Sequence, residues 1–138
     1  MKKLTILILL VQITSCDERF SGTELPKQDK AKRSITSAIW KISTVDVDGV
    51  DQTATFEGMT LVFTSTNYTT TKGGALWPPN GEWRFGDMEA TYFIRSDGLK
   101  VNAEISDDKL VLTFVSTTNS IGGRLSSVKG NYTFKFFK

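Results

Sequence analysis

Period-two alternation of apolar and polar positions dominates the chain from about residue 37 onward. Eight short runs rich in Val, Ile, Thr and aromatic residues carry it, and this pattern predicts strands rather than helices. Trp40 and Ile42 share one face of the first run, and Leu61 and Phe63 share one face of the second. Tyr68-Thr69-Thr70-Thr71 forms a thin third. In the fourth, Trp83 and Phe85 point one way and Glu82 and Arg84 the other. The fifth covers residues 90–95. In the sixth, Leu99, Val101, Ala103 and Ile105 alternate with Lys100, Asn102 and Glu104. Leu110, Leu112 and Phe114 mark the seventh, and Tyr132, Phe134 and Phe136 the eighth.

Hairpin-length turn signals separate many of these runs: Ser65-Thr66-Asn67, Gly86-Asp87, Ser96-Asp97-Gly98 and Ser106-Asp107-Asp108. Three connections are longer, at 46–59, 73–80 and 118–125. No intervening segment carries a helical stripe, which argues against crossover helices and a parallel sheet. Sequential antiparallel strands that close on themselves give an all-β domain, an eight-stranded antiparallel up-and-down barrel, round or flattened. Strand parity then gathers the three long connections at one end, with the entering chain at the other. Loops on a rigid scaffold concentrate binding, so this mouth is the expected recognition surface.

A different pattern occupies the start. Lys2 and Lys3 precede the apolar run Leu4-Thr5-Ile6-Leu7-Ile8-Leu9-Leu10-Val11. Such a run is too short to span a bilayer and matches a secretory signal. The next segment, Ile13-Thr14-Ser15-Cys16, resembles the lipobox of bacterial lipoproteins. The resemblance implies cleavage before Cys16 and a diacylglyceryl group on its sulfur. Residues 1–15 are then a signal peptide, 16–36 a lipid-anchored polar tether, and 37–138 the barrel domain. Two acyl chains, at ~0.8 kcal/mol per buried methylene, make a stable anchor. Cys16 is the one cysteine, so an intrachain disulfide is excluded. The tether holds Pro26 and a run of lysines, with a short helix expected over 27–34. Asp17-Glu18 resembles the surface-export signal of Bacteroidetes lipoproteins and equally the inner-membrane retention signal of enterobacteria, and both implications stay open.

Cleavage changes the charge. The chain has 17 Lys+Arg and 15 Asp+Glu. Losing Lys2 and Lys3 leaves the two signs equal, without the clustered basic surface of a nucleic-acid binder.

The opening Ile39-Trp40-Lys41, the central Gly81-Glu82-Trp83-Arg84-Phe85, and Gly122-Gly123-Arg124 before Gly130-Asn131-Tyr132-Thr133-Phe134 resemble the small lipocalin-like lipoproteins of Bacteroidetes. The resemblance implies a meander barrel that binds an apolar ligand, located in the cell envelope at the outer membrane.

Catalytic chemistry is sparse. There is no histidine, and the cysteine is taken by lipid. Ser-His-Asp and Cys-His nucleophiles are thereby removed, as are zinc sites of imidazole or thiolate. A carboxylate pair needs two acids on one face, whereas Asp107 and Asp108 are neighbours in a turn. Neither an enzyme nor a cofactor is expected. Asp46-Val47-Asp48-Gly49-Val50-Asp51 has spaced acids, but an EF-hand wants glycine where Asp51 stands and flanking helices. A turn with solvated acids is the better reading.

Trp77, in the stiffened Leu76-Trp77-Pro78-Pro79 segment, reads either as a contact anchor or as a lid over the barrel end. The inward aromatics either line a cavity or fill a core, and an eight-stranded barrel is just wide enough for both. The candidate ligand-binding residues are Asp46, Asp48, Asp51, Trp77 and Arg124. Two functions follow: a small molecule or lipid bound at the mouth, or a protein partner bound there by an inhibitor, immunity or assembly accessory protein.

Overall fold

The structure is a computed structural model, and it describes residues 26–117 and 129–138. The strands are β1 (Ile39–Val47), β2 (Val50–Asp51), β3 (Thr60–Phe63), β4 (Asn67–Thr71), β5 (Asn80–Phe85), β6 (Tyr92–Arg95), β7 (Lys100–Ile105), β8 (Lys109–Ser116) and β9 (Gly130–Phe137). The sheet order is β2-β1-β3-β4-β5-β6-β7-β8-β9, and β1 also pairs with β9. All neighbours are antiparallel. The two-residue β2 is a spur on β1, so eight strands form the closed up-and-down barrel that the alternation predicts. The seam runs from Lys41 opposite Phe137 to Val47 opposite Tyr132, with a bulge-like register shift between Ile42 and Thr44.

The fifth predicted run forms β6, which begins at Tyr92 rather than at residue 90. Ala90 sits in the left-handed region (φ 55°), inside a turn where the Asp87 carboxylate accepts from the Thr91 N–H at 2.9 Å and from its hydroxyl. An apolar turn residue there extends the alternation by coincidence.

The expected helix forms as α1 (Lys27–Thr36) and lies across the closed end. Ile35 is fully buried in the core, and its carbonyl accepts from the Trp40 indole N–H at 2.8 Å. The Gln28 amide donates to the Asp87 carbonyl at 3.1 Å, and Lys27 pairs with Glu89.

Inside, the inward positions are occupied by large rings. Trp40, Trp77, Tyr68, Phe63, Phe93, Phe114, Phe134 and Phe136 are all essentially inaccessible. Phe63 meets Trp83 and Phe93 edge-on at 5.2 and 5.7 Å, and Phe114 stacks on Phe134 at 5.7 Å. Each such pair is worth about 0.5–1.5 kcal/mol beyond its buried area. Among the described residues, large buried rings thus fill the inward positions of the barrel.

Candidate functional site

The mouth collects the connections after β1, β4 and β6, together with the ends of β8 and β9. Ser116 opposite Gly130 and Val47 opposite Tyr132 fix those ends beside the β1–β2 turn. The connection at 118–125, with Arg124, falls outside the described residues, as does Cys16.

Trp77 is drawn inward by its own loop. Lys72 (φ 57°) and Gly74 (φ 60°) are both left-handed and reverse the chain after β4. The Thr70 N–H then donates to the Pro79 carbonyl at 2.8 Å and the Trp77 N–H to Gly73 at 3.2 Å. Gly73 is needed for this closeness, because a Cβ there would lie 2.5 Å from that of Trp77. The ring ends up 1% exposed, edge-on to Tyr68 and Phe114 at 5.8 Å and to Phe134 at 6.3 Å. This is the lid arrangement: Trp77 plugs the barrel and offers no open contact surface. Among the described residues its indole N–H and the Thr70 hydroxyl are buried without a partner, a cost of about 1–3 kcal/mol each.

Arg95 clamps the plug. Its guanidinium lies 4.8 Å from the Trp77 ring, Nη1 donates to the Leu76 carbonyl at 2.8 Å, and Nε and Nη2 both donate to the Asp97 carboxylate. Arg95 is only 5% exposed, so the pairing with Asp97 offsets a desolvation that an isolated cation could not bear. The Arg95 hydrogen bonds hold the Asp97 carboxyl below its ordinary range, against a smaller opposing effect of burial. Alternation does place Arg95 on the same face as buried Phe93, and that parity is the one sequence signal for an interior arginine.

The acidic candidates take structural positions. Asp48 and Gly49 both have positive φ (51° and 82°), as a type I′ hairpin turn requires. Asp48 accepts from the Asn131 N–H at 2.9 Å and from its side-chain amide at 3.0 Å, tying the β1–β2 turn to β9. The Asp51 carboxylate accepts from the Thr53 N–H at 2.8 Å and its hydroxyl at 2.5 Å. The Thr53 hydroxyl hydrogen bond and then the backbone one hold its pKa low. Asp46 stands half-buried on β1, directly opposite Asp51. Among the described residues no group of three or more acids is arranged to hold a metal ion.

Beside the clamp lies an open cleft of about 330 Å³ whose walls include Leu76, Arg95, Asp97, Leu99, Val115 and Ser116. Its charged groups are already spent on one another. What it offers is shape, backbone polarity and a rim of aliphatic side chains.

No family model, curated protein or solved structure matches this chain. The barrel and its mouth therefore carry the functional reading by themselves. Among the described residues no helix is long and apolar enough to cross a membrane.

Proposed function

We propose that this chain is a lipid-anchored, non-catalytic recognition module of the bacterial cell envelope, akin to the small lipocalin-like lipoproteins of Bacteroidetes. Its mouth binds a protein partner. One observation favours a protein over an enclosed apolar ligand: the interior is already filled, with Trp77 seated where a lipocalin-type ligand would enter. The lipobox-like Ile13-Thr14-Ser15-Cys16 supports the anchor, and the solid barrel supports a rigid platform for surface loops. A small molecule remains the second reading, favoured by the 330 Å³ cleft beside Arg95, at the lower bound of ligand pockets.

A photo-crosslinking side chain at Val115 tests the partner. Val115 borders the cleft and is 56% exposed, while Met88, at the opposite end and 69% exposed, is the control. In the native host, position 115 should yield one discrete protein adduct and position 88 none of that mass. Native mass spectrometry of the purified domain should show no added small molecule. A co-purifying apolar molecule, with no adduct at 115, overturns the protein reading. Lipid at Cys16 is tested separately by metabolic palmitate labelling, which Cys16→Ser should abolish.

A further inference from the structure

The closed end of the barrel has a rim that neither the core nor the mouth uses. Strand register places Val62 opposite Ile39, and Lys41 and Lys109 on either side of Phe137 in one outward row across β1, β9 and β8. Ile39 and Phe137 are 56% and 45% exposed, although their strand neighbours Trp40 and Phe136 are buried. Lys138 completes the rim, its ammonium 5.8 Å from the Trp40 ring. Helix α1 crosses the same end with Lys30 and Arg33 exposed. Of the carboxylates nearby, Glu89 is paired with Lys27, while Asp87 and Asp107 accept from the Thr91 and Ser34 hydroxyls and keep their charge. Asp108 lies 3.4 Å from the Ser106 hydroxyl, and Asp29 opens on α1 itself.

Two exposed apolar side chains set among lysines match the composition of a surface that rests in a lipid headgroup layer. There the apolar groups reach the acyl boundary while lysine stems snorkel back to phosphate. We infer that the closed end seats on an anionic phospholipid bilayer, with Ile39 and Phe137 entering the interface and Lys30, Arg33, Lys41 and Lys109 meeting the headgroups. Chain geometry supplies the second argument, and this part rests on the anchor reading above. The described chain starts at this end, where Lys27 and Gln28 hold the β5–β6 connection. Only nine residues lie between Cys16 and Pro26, at most about 35 Å of extended chain. A lipid on Cys16 thus holds this rim close to the bilayer, and tethering makes even a weak contact count through its high effective concentration.

The test uses the polypeptide from residue 17 onward, which retains every described residue and has no lipid, so its outcome is independent of the anchor. It should co-sediment with vesicles of equimolar phosphatidylglycerol and phosphatidylcholine and not with phosphatidylcholine alone. Lys41→Gln and Lys109→Gln should each weaken partitioning about fivefold, and Ile39→Ser with Phe137→Ser should abolish it without moving the thermal midpoint. A fluorophore on Ile39→Cys should shift to the blue on anionic vesicles, whereas one on Val115→Cys should not. Absent binding, equal binding to both vesicle types, or a blue shift at 115 instead of 39 overturns the inference. A failure here leaves palmitate labelling at Cys16 unaffected, so the two readings fall separately.

Discussion

Trp77→Ala is the sharpest test of the packing. A buried tryptophan removes about 150–250 Å² from water, worth about 4–6 kcal/mol at 25 cal/mol per Å². Against this stands the unpartnered indole N–H, which costs about 1–3 kcal/mol. The net loss on truncation is therefore about 1–5 kcal/mol, centred near 3 kcal/mol and overlapping the range for Trp→Ala in a core. Domains of this size have total stabilities of about 5–15 kcal/mol, so the variant folds but weakly. With a urea slope of about 1–3 kcal/mol per M, the midpoint should fall by about 2 M. Trp77→Phe keeps most of the edge-on contacts to Tyr68 and Phe114 and removes the orphaned donor, so its loss should stay near 1 kcal/mol. The vacated space in Trp77→Ala is lined by rings, and such dry cavities take apolar guests. Added indole should then raise the variant's thermal midpoint and leave the parent's unchanged. Equilibrium urea unfolding followed by circular dichroism reads all three proteins. A Trp77→Ala midpoint within experimental error of the parent would mean that the ring is not a structural plug.

Three further outcomes follow from the same geometry. Asp48→Ala should cost about 1–2 kcal/mol through its lost acceptor and strained left-handed φ, while Asp48→Asn, which tolerates that φ, should stay close to the parent in thermal melts; equal effects would deny the tie to Asn131. Gly73→Ala should destabilise by about 1–3 kcal/mol through overpacking against Trp77, and a neutral result in urea would show that the loop has room to spare. Asp51, Asp87 and Asp97 all have pKa values below their ordinary 3.8. The unfolded chain therefore takes up protons first, so their contribution is intact above about pH 4 and drains away as pH falls through the folded values. Asp97→Asn should flatten that acid limb in pH-dependent melts, and an unchanged limb would remove Asp97 from the account.

The strands were readable because one face of each is buried, and burial imposes its period on the sequence. β7 shows this best: Val101 and Ala103 are buried while Lys100, Asn102 and Glu104 are exposed. The direction of each hairpin followed from parity alone, and so did the loop-rich end. Contacts between distant segments were less legible. Arg95 reaches Leu76 and Trp77, and no local pattern announces that a strand-end arginine will lie under a tryptophan from another loop. The acids of residues 46–51 look like a ligand set by spacing. The spacing does not reveal their partners, Thr53 for Asp51 and Asn131 for Asp48, and Asn131 is remote in sequence. The sequence predicts the helix but not its burial of Ile35, since a single anchoring apolar residue leaves no stripe.

The β1–β9 seam has a consequence for how the protein comes into being. The first and last staves of the barrel lie side by side, so the ring cannot close while the final strand is still being synthesised. Until then β1 and β8 are both open edges, of the kind that invite pairing with other chains. Contacts this distant along the chain also form slowly. Maturation of the domain is thus a late, all-at-once event, and the interval before it is when the polypeptide most needs a chaperone.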